Sequence, residues 1–100
     1  MNNQRRKTIE KLKTTLADIQ QQAENVKSDC DDLKSEIESI KDEEQEYFDN
    51  MPEGLQGGDK GAAAEAAINA LDAASGTLDV IIDACDEFET VESSLDEAVQ

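Results

Sequence analysis

"IEKLKTTLADIQQQAENVKSDCDDLKSEIESI", residues 9–40, places apolar side chains at Ile9, Leu12, Leu16, Ile19, Ala23, Val26, Cys30, Leu33, Ile37 and Ile40. The intervals alternate between three and four without a slip. A strict 3.5-residue period is that of a left-handed coiled coil; a strand alternates by two, and an ordinary amphipathic helix follows 3.6. The stretch therefore predicts one long helix, about residues 5–49. Pro52 drives Met51 out of helical geometry and ends it.

Downstream, "EEQEYFDNMPEGLQGGDKG" (43–61) holds the single proline and four of the five glycines. It predicts a turn over about residues 50–60, with Asp59 as N-cap of a second helix over about 61–98. That helix repeats the alternation at Ala64, Ala67, Leu71, Ala74, Leu78, Ile81, Cys85 and Phe88; Glu92 interrupts it before Leu95 and Val99 resume. The short connection predicts one all-α domain, an antiparallel coiled-coil helical hairpin.

Charge favours the same direction. Residues 1–27 carry six basic and three acidic groups, while residues 28–100 carry three basic and twenty-two acidic ones, for a net charge of −16. Folding back brings Arg5, Arg6, Lys7, Lys11 and Lys13 beside Asp86, Glu87, Glu89, Glu92, Asp96 and Glu97. Each exposed pair contributes little, but together they favour one packing direction.

The second helix has more apolar surface than one partner covers. A flank of Ala63, Ala70, Thr77, Ala84, Val91 and Ala98 runs beside its seam, and Ile68 and Ile82 lie on the other side. Such a width predicts a homodimer forming a four-helix bundle, with Ala63, Ile68, Ala70 and Ala84 at the interface. The competing reading is that alanine serves helix propensity alone.

The composition excludes most chemistry. There is no histidine, which removes the usual metal sites and His-based catalysis. "DCDDLKSE" (29–36) lacks the central glycine of a calcium loop and falls within a helix. The glycines of 54–61 are not followed by Lys-Ser/Thr at phosphate-loop spacing. No enzymatic activity, cofactor or metal is expected. Cys30 and Cys85 read as reduced, small apolar residues. No apolar run reaches the ~18 residues of a bilayer span, and the first residues show no apolar signal region; the expected place is the cytoplasm, without membrane contact.

The acidic surface remains. Asp29, Asp31, Asp32, Glu36, Glu38, Asp42, Glu43 and Glu46 line the first helix. Duplex DNA carries about one charge per 1.7 Å, so helices of roughly 60 Å with 25 carboxylates approach its density. Such a rod can occupy the basic groove of a DNA-binding protein. The plain alternative is that acidic faces keep a coiled coil soluble. Tyr47, Phe48 and Met51 either close the end of the coil or form an apolar anchor with an acidic rim.

"DEEQEYFDNMPEGLQGGDKG", preceded by "QRRKTIEKL", resembles a group of small acidic proteins encoded by bacteriophages and prophages. In that group a basic N-terminal helix leads to this acidic, aromatic segment and an alanine-containing second helix. The resemblance implies a phage origin and action inside a bacterial host; it supplies no activity. Charge and size then favour an inhibitor that mimics DNA toward a basic host or defence protein. A coiled-coil adaptor is the alternative. Direct nucleic-acid binding through Arg5, Arg6, Lys7, Lys11 and Lys13 is not expected, because acids at the C-terminal end mask them.

Overall fold

The computed structural model describes residues 1–100. Of these, 89% are helical and none is in a strand. The elements are α1 (Asn3–Asp49), α2 (Glu53–Gln56), α3 (Asp59–Cys85) and α4 (Phe88–Ala98). Two compact units divide the chain: Met1–Asp29 with Ile81–Gln100, and Cys30–Val80.

Helix α1 is held by packing more than by its own chemistry. Asn2 caps it, its Oδ1 accepting a hydrogen bond from the Arg5 backbone N–H at 2.8 Å. Its first turn contains no acid and its last turn no base, so its charges oppose the helix dipole. A tertiary seam must supply the difference.

In the unit Cys30–Val80, α1 and α3 run antiparallel. Lys34 reaches Asp79 at 2.6 Å and Lys41 reaches Asp72 at 2.7 Å. The seam on α3 follows Gly61, Ala64, Ile68, Leu71, Ser75 and Leu78, all buried or half-buried. It shares Ala64, Leu71 and Leu78 with the row read from the sequence, sets Ile68 beside the likewise half-buried Ala67, and takes Ser75 where that row has Ala74. Ala74 is exposed, whereas Ser75 is only 3% exposed. Ser75 tolerates this because its hydroxyl donates to Glu38 Oε1 at 2.6 Å. A buried hydroxyl needs such a partner.

The turn is built by a short helix and not by left-handed glycines, since no residue has positive φ. Pro52 is extended (φ −57°, ψ 145°) and precedes α2, where its carbonyl accepts from the N–H groups of Leu55 and Gln56. Gln56 Nε2 donates to the Phe48 carbonyl at 2.9 Å, tying α2 to the end of α1. Asp59 is the first residue of α3, one position inside its expected N-cap place. Gly61 lets α2 and α3 touch: a Cβ there would lie 1.9 Å from the Gln56 carbonyl oxygen.

In the other unit, Leu16 and Ala23 form the buried centre. Lys27 pairs with Asp86 at 2.7 Å, Gln20 donates to Glu92 at 2.8 Å, and Lys13 pairs with Asp96 at 2.6 Å. The expected single helix over 61–98 is divided at Asp86–Glu87. There the N–H groups of Asp86, Glu87, Glu89 and Thr90 bond to carbonyls three residues back. A three-residue turn is tighter than an α-turn, so the next acid facing α1 comes after six residues, at Glu92.

Gly61 and Gly76 make opposite predictions. Nothing lies within 4 Å of a Cβ at Gly76, so Gly76→Ala should stabilise by roughly 0.5–1 kcal/mol through helix propensity. Gly61→Ala forces backbone apart and should cost about 1–3 kcal/mol. Denaturant titrations of the two variants should move to opposite sides of the parent midpoint.

Candidate functional site

Lys13, Gln20, Lys27, Lys34 and Lys41 recur every seven residues on α1, and each meets an acid of α3, of α4 or, for Lys27, of the break between them, within its own unit. The hydrogen bond to Asp96 raises the pKa of Lys13 above the ordinary lysine value, and nearby carboxylates reinforce it against partial burial. The bonds from Lys34 to Asp79 and from Lys41 to Asp72 act in the same way. Pairs this exposed contribute little stability one by one. Their row fixes the register.

The row also decides which acids stay free. In the unit Cys30–Val80, the two lysines of α1 are committed to Asp79 and Asp72. Asp31, Asp32, Glu36, Asp42, Glu43 and Glu46 stand exposed on α1 without an ion pair. Asp31, Lys34, Ser35, Glu38, Ser39 and Asp42 border one open depression. Glu38 differs from its neighbours: it is half-buried and holds Ser75. Asp29, in the other unit, is exposed.

At the turn, Tyr47 is half-exposed, while Phe48 and Met51 are more covered. Tyr47 shares an apolar cleft with Asn50, Met51, Pro52, Leu55 and Lys60. Phe48 lies on the opposite side of the seam, in a cleft with Gln45, Glu65, Ile68 and Asn69. Ile68 therefore faces α1. Ala63, Ala70 and Ala84 are exposed.

Of the basic N-terminal residues, only Lys13 reaches an acid of the returning helix. Arg5, Lys7 and Lys11 fall off the seven-residue row of Lys13 and stand exposed, as does Arg6. The broad neutralisation read from the sequence is thus confined to one row.

The largest departure concerns α1. Leu12, Ile19, Val26, Leu33, Ile40 and Tyr47 belong to its heptad seam, yet all are 40% to 53% exposed. The packed row is the other one, with Leu16 and Ala23 buried and Cys30 and Ile37 half-buried. Periodicity identifies both rows, and one neighbouring helix covers only one of them.

No three His, Cys, Asp or Glu side chains converge in a group able to hold a metal ion. No helix is long and apolar enough to cross a membrane. No family model matches the chain, and no curated protein or solved structure matches it. The acidic face and the half-exposed row of α1 are both open to solvent.

The lysine row gives a pH prediction with a defined sign. A lysine whose pKa is raised by folding stabilises the fold below its unfolded value, ~10.4, and loses that contribution as pH rises through the folded value. Thermal stability should therefore fall above about pH 10.4. A Lys13→Gln, Lys34→Gln, Lys41→Gln variant should melt lower at neutral pH and lose most of that alkaline slope in melts followed by circular dichroism.

Proposed function

We propose that this protein is a non-enzymatic inhibitor of phage origin that presents an acidic helical face to a basic host or defence protein, competing there with DNA. One observation carries the reading. The α1 lysines nearest the face form their ion pairs with Asp79 and Asp72, so Asp31, Asp32, Glu36 and Asp42 stand exposed without an ion pair, with only Asp31 and Asp42 in the field of Lys34 and Lys41. A polyanionic helix in a basic groove releases counterions as DNA does, and its affinity falls steeply with salt. The proposed place of action is the cytoplasm of a bacterial host.

The acting form in this proposal is a homodimer, two hairpins making a four-helix bundle. The exposed Ala63, Ala70 and Ala84 of α3 allow close approach of a second copy; Ile68, facing α1, is left out. A coiled-coil adaptor is the second reading, favoured by the half-exposed apolar row of α1. In that case apolar contacts at Tyr47, Phe48 and Met51 would matter more than charge.

The test is competition. The immobilised protein is exposed to bacterial lysate, and captured proteins are eluted with salt and assayed for duplex binding. The parent should displace DNA from at least one of them, with affinity dropping sharply between low and high salt. Asp31→Asn, Asp32→Asn, Glu36→Gln and Asp42→Asn together should weaken the competition by about tenfold or more. Glu38 is left intact because it supports Ser75. Tyr47→Ala with Phe48→Ala should lose less. Undiminished competition by the charge-neutralised variant refutes the mimic.

A further inference from the structure

The turn of the unit Cys30–Val80 holds an apolar cleft that stands half-open to water. Tyr47, Met51, Pro52 and Leu55 form its apolar lining, and Asn50 and Lys60 complete it. Tyr47 is 51% exposed and Leu55 52%. The cleft measures about 340 Å³. A cavity of roughly 150 Å³ already holds a benzene-sized group, so there is room here for one large side chain of another molecule. Phe48, which the sequence groups with Tyr47, lies in the cleft on the opposite side of the seam. The turn is therefore a receptacle and not a projecting anchor.

Charge says what enters it. Glu43 lies four residues before Tyr47 and Glu46 four before Asn50, so both share a helix face with the cleft; Glu53 follows Pro52 at the start of α2. All three are exposed. The ion pairs of the chain use Lys13, Lys27, Lys34 and Lys41, which leaves these carboxylates unpaired. The last turn of α1 holds no basic residue, so the negative end of its dipole adds to their field. Lys60 is the single base between residues 43 and 60, against six acids, and the rim stays net negative. Only the turn combines the two features. The depression at Asp31 and Asp42 has no apolar residue in its lining, and Leu12 and Ile19 have Thr8, Thr15 and Gln22 beside them.

We infer that this cleft docks a basic segment of a partner protein, seating one large apolar side chain between Tyr47 and Leu55 while lysines or arginines of the segment lie against Glu43, Glu46 and Glu53. The inference rests on the basic partner proposed above and adds a second contact to it. The two contacts divide the kinetics. Attraction to exposed carboxylates governs how fast a partner arrives, and burial of an apolar anchor governs how long it stays. An apolar anchor in a pocket with a polar rim is the arrangement in which one side chain carries much of the binding energy.

Fluorescence anisotropy with two synthetic peptides tests this: a lysine- and arginine-rich peptide with one central phenylalanine, and a twin with serine in its place. The parent should bind the phenylalanine peptide about tenfold more tightly, with the difference in the dissociation rate. Tyr47→Ser with Leu55→Ser should erase that difference and leave the serine twin unaffected. Leu55→Ser alone, on the exposed surface of α2, should remove most of it with helicity retained by circular dichroism. Glu43→Gln, Glu46→Gln and Glu53→Gln together should weaken both peptides and keep their ratio. Equal affinity of the parent for the two peptides overturns the inference and spares the basic partner; binding of neither overturns both. A difference that survives Tyr47→Ser with Leu55→Ser, or disappears in Leu12→Ser with Ile19→Ser, puts the anchor elsewhere and overturns it too. So does a parent that sediments as a dimer and becomes monomeric on Leu55→Ser, since a second copy then fills the cleft.

Discussion

Two helices share a single line of contact, and each can turn only one strip of its surface toward it. In the unit Cys30–Val80 the strip on α1 runs through the half-buried Cys30 and Ile37, with Lys34 and Lys41 along its edge. The strip on α3 runs through Ala64 and Ser75. Once those are chosen, the rest is determined. Lysines on the edge meet aspartates on the returning helix, the carboxylates of the other faces keep their charge, and a second apolar row on α1 remains half in water. An antiparallel pair cannot bury it, because the side chains that would cover it lie on no other element of the chain.

The same constraint explains what the sequence reveals. The heptads of residues 9–40 specify a helix because every apolar position is a large residue or a small one flanked by large ones. On α3 the evidence is weaker. Alanine serves equally as core, flank or filler, so two alternations that share Ala64, Leu71 and Leu78 are both readable there. The structure takes the one through Ile68 and Ser75. A serine at a core position argues against that choice until Glu38, thirty-seven residues away, is seen to hold it. Pairing with an element distant in sequence is what a local pattern omits.

The break at Asp86–Glu87 and the role of Gly61 are hidden for a related reason. Neither involves an unusual residue in an unusual conformation; no backbone angle lies in the left-handed region. Gly61 matters through what approaches it, and the turn of α3 into α4 through how many residues bring the next acid round to α1. The acidic face is the reverse case. Its residues are legible individually, but which of them stand without an ion pair depends on where Lys34 and Lys41 go. Glu38 belongs with them in sequence and with the seam in space.

The lysine row also orders the assembly of the fold in time. Its rungs join residues at growing distances along the chain: Lys41 to Asp72 is a separation of 31, Lys34 to Asp79 of 45, and Lys27 to Asp86 of 59. Closing a longer loop costs more entropy, though only logarithmically, and contacts near in sequence form sooner. Once the turn is set by Pro52, Gln56 and Gly61, each closed rung shortens the loop that remains before the next. Loop-closure entropy therefore favours closing the rungs outward from the turn, with the ion pair most distant in sequence, Lys13 with Asp96, as the costliest to close.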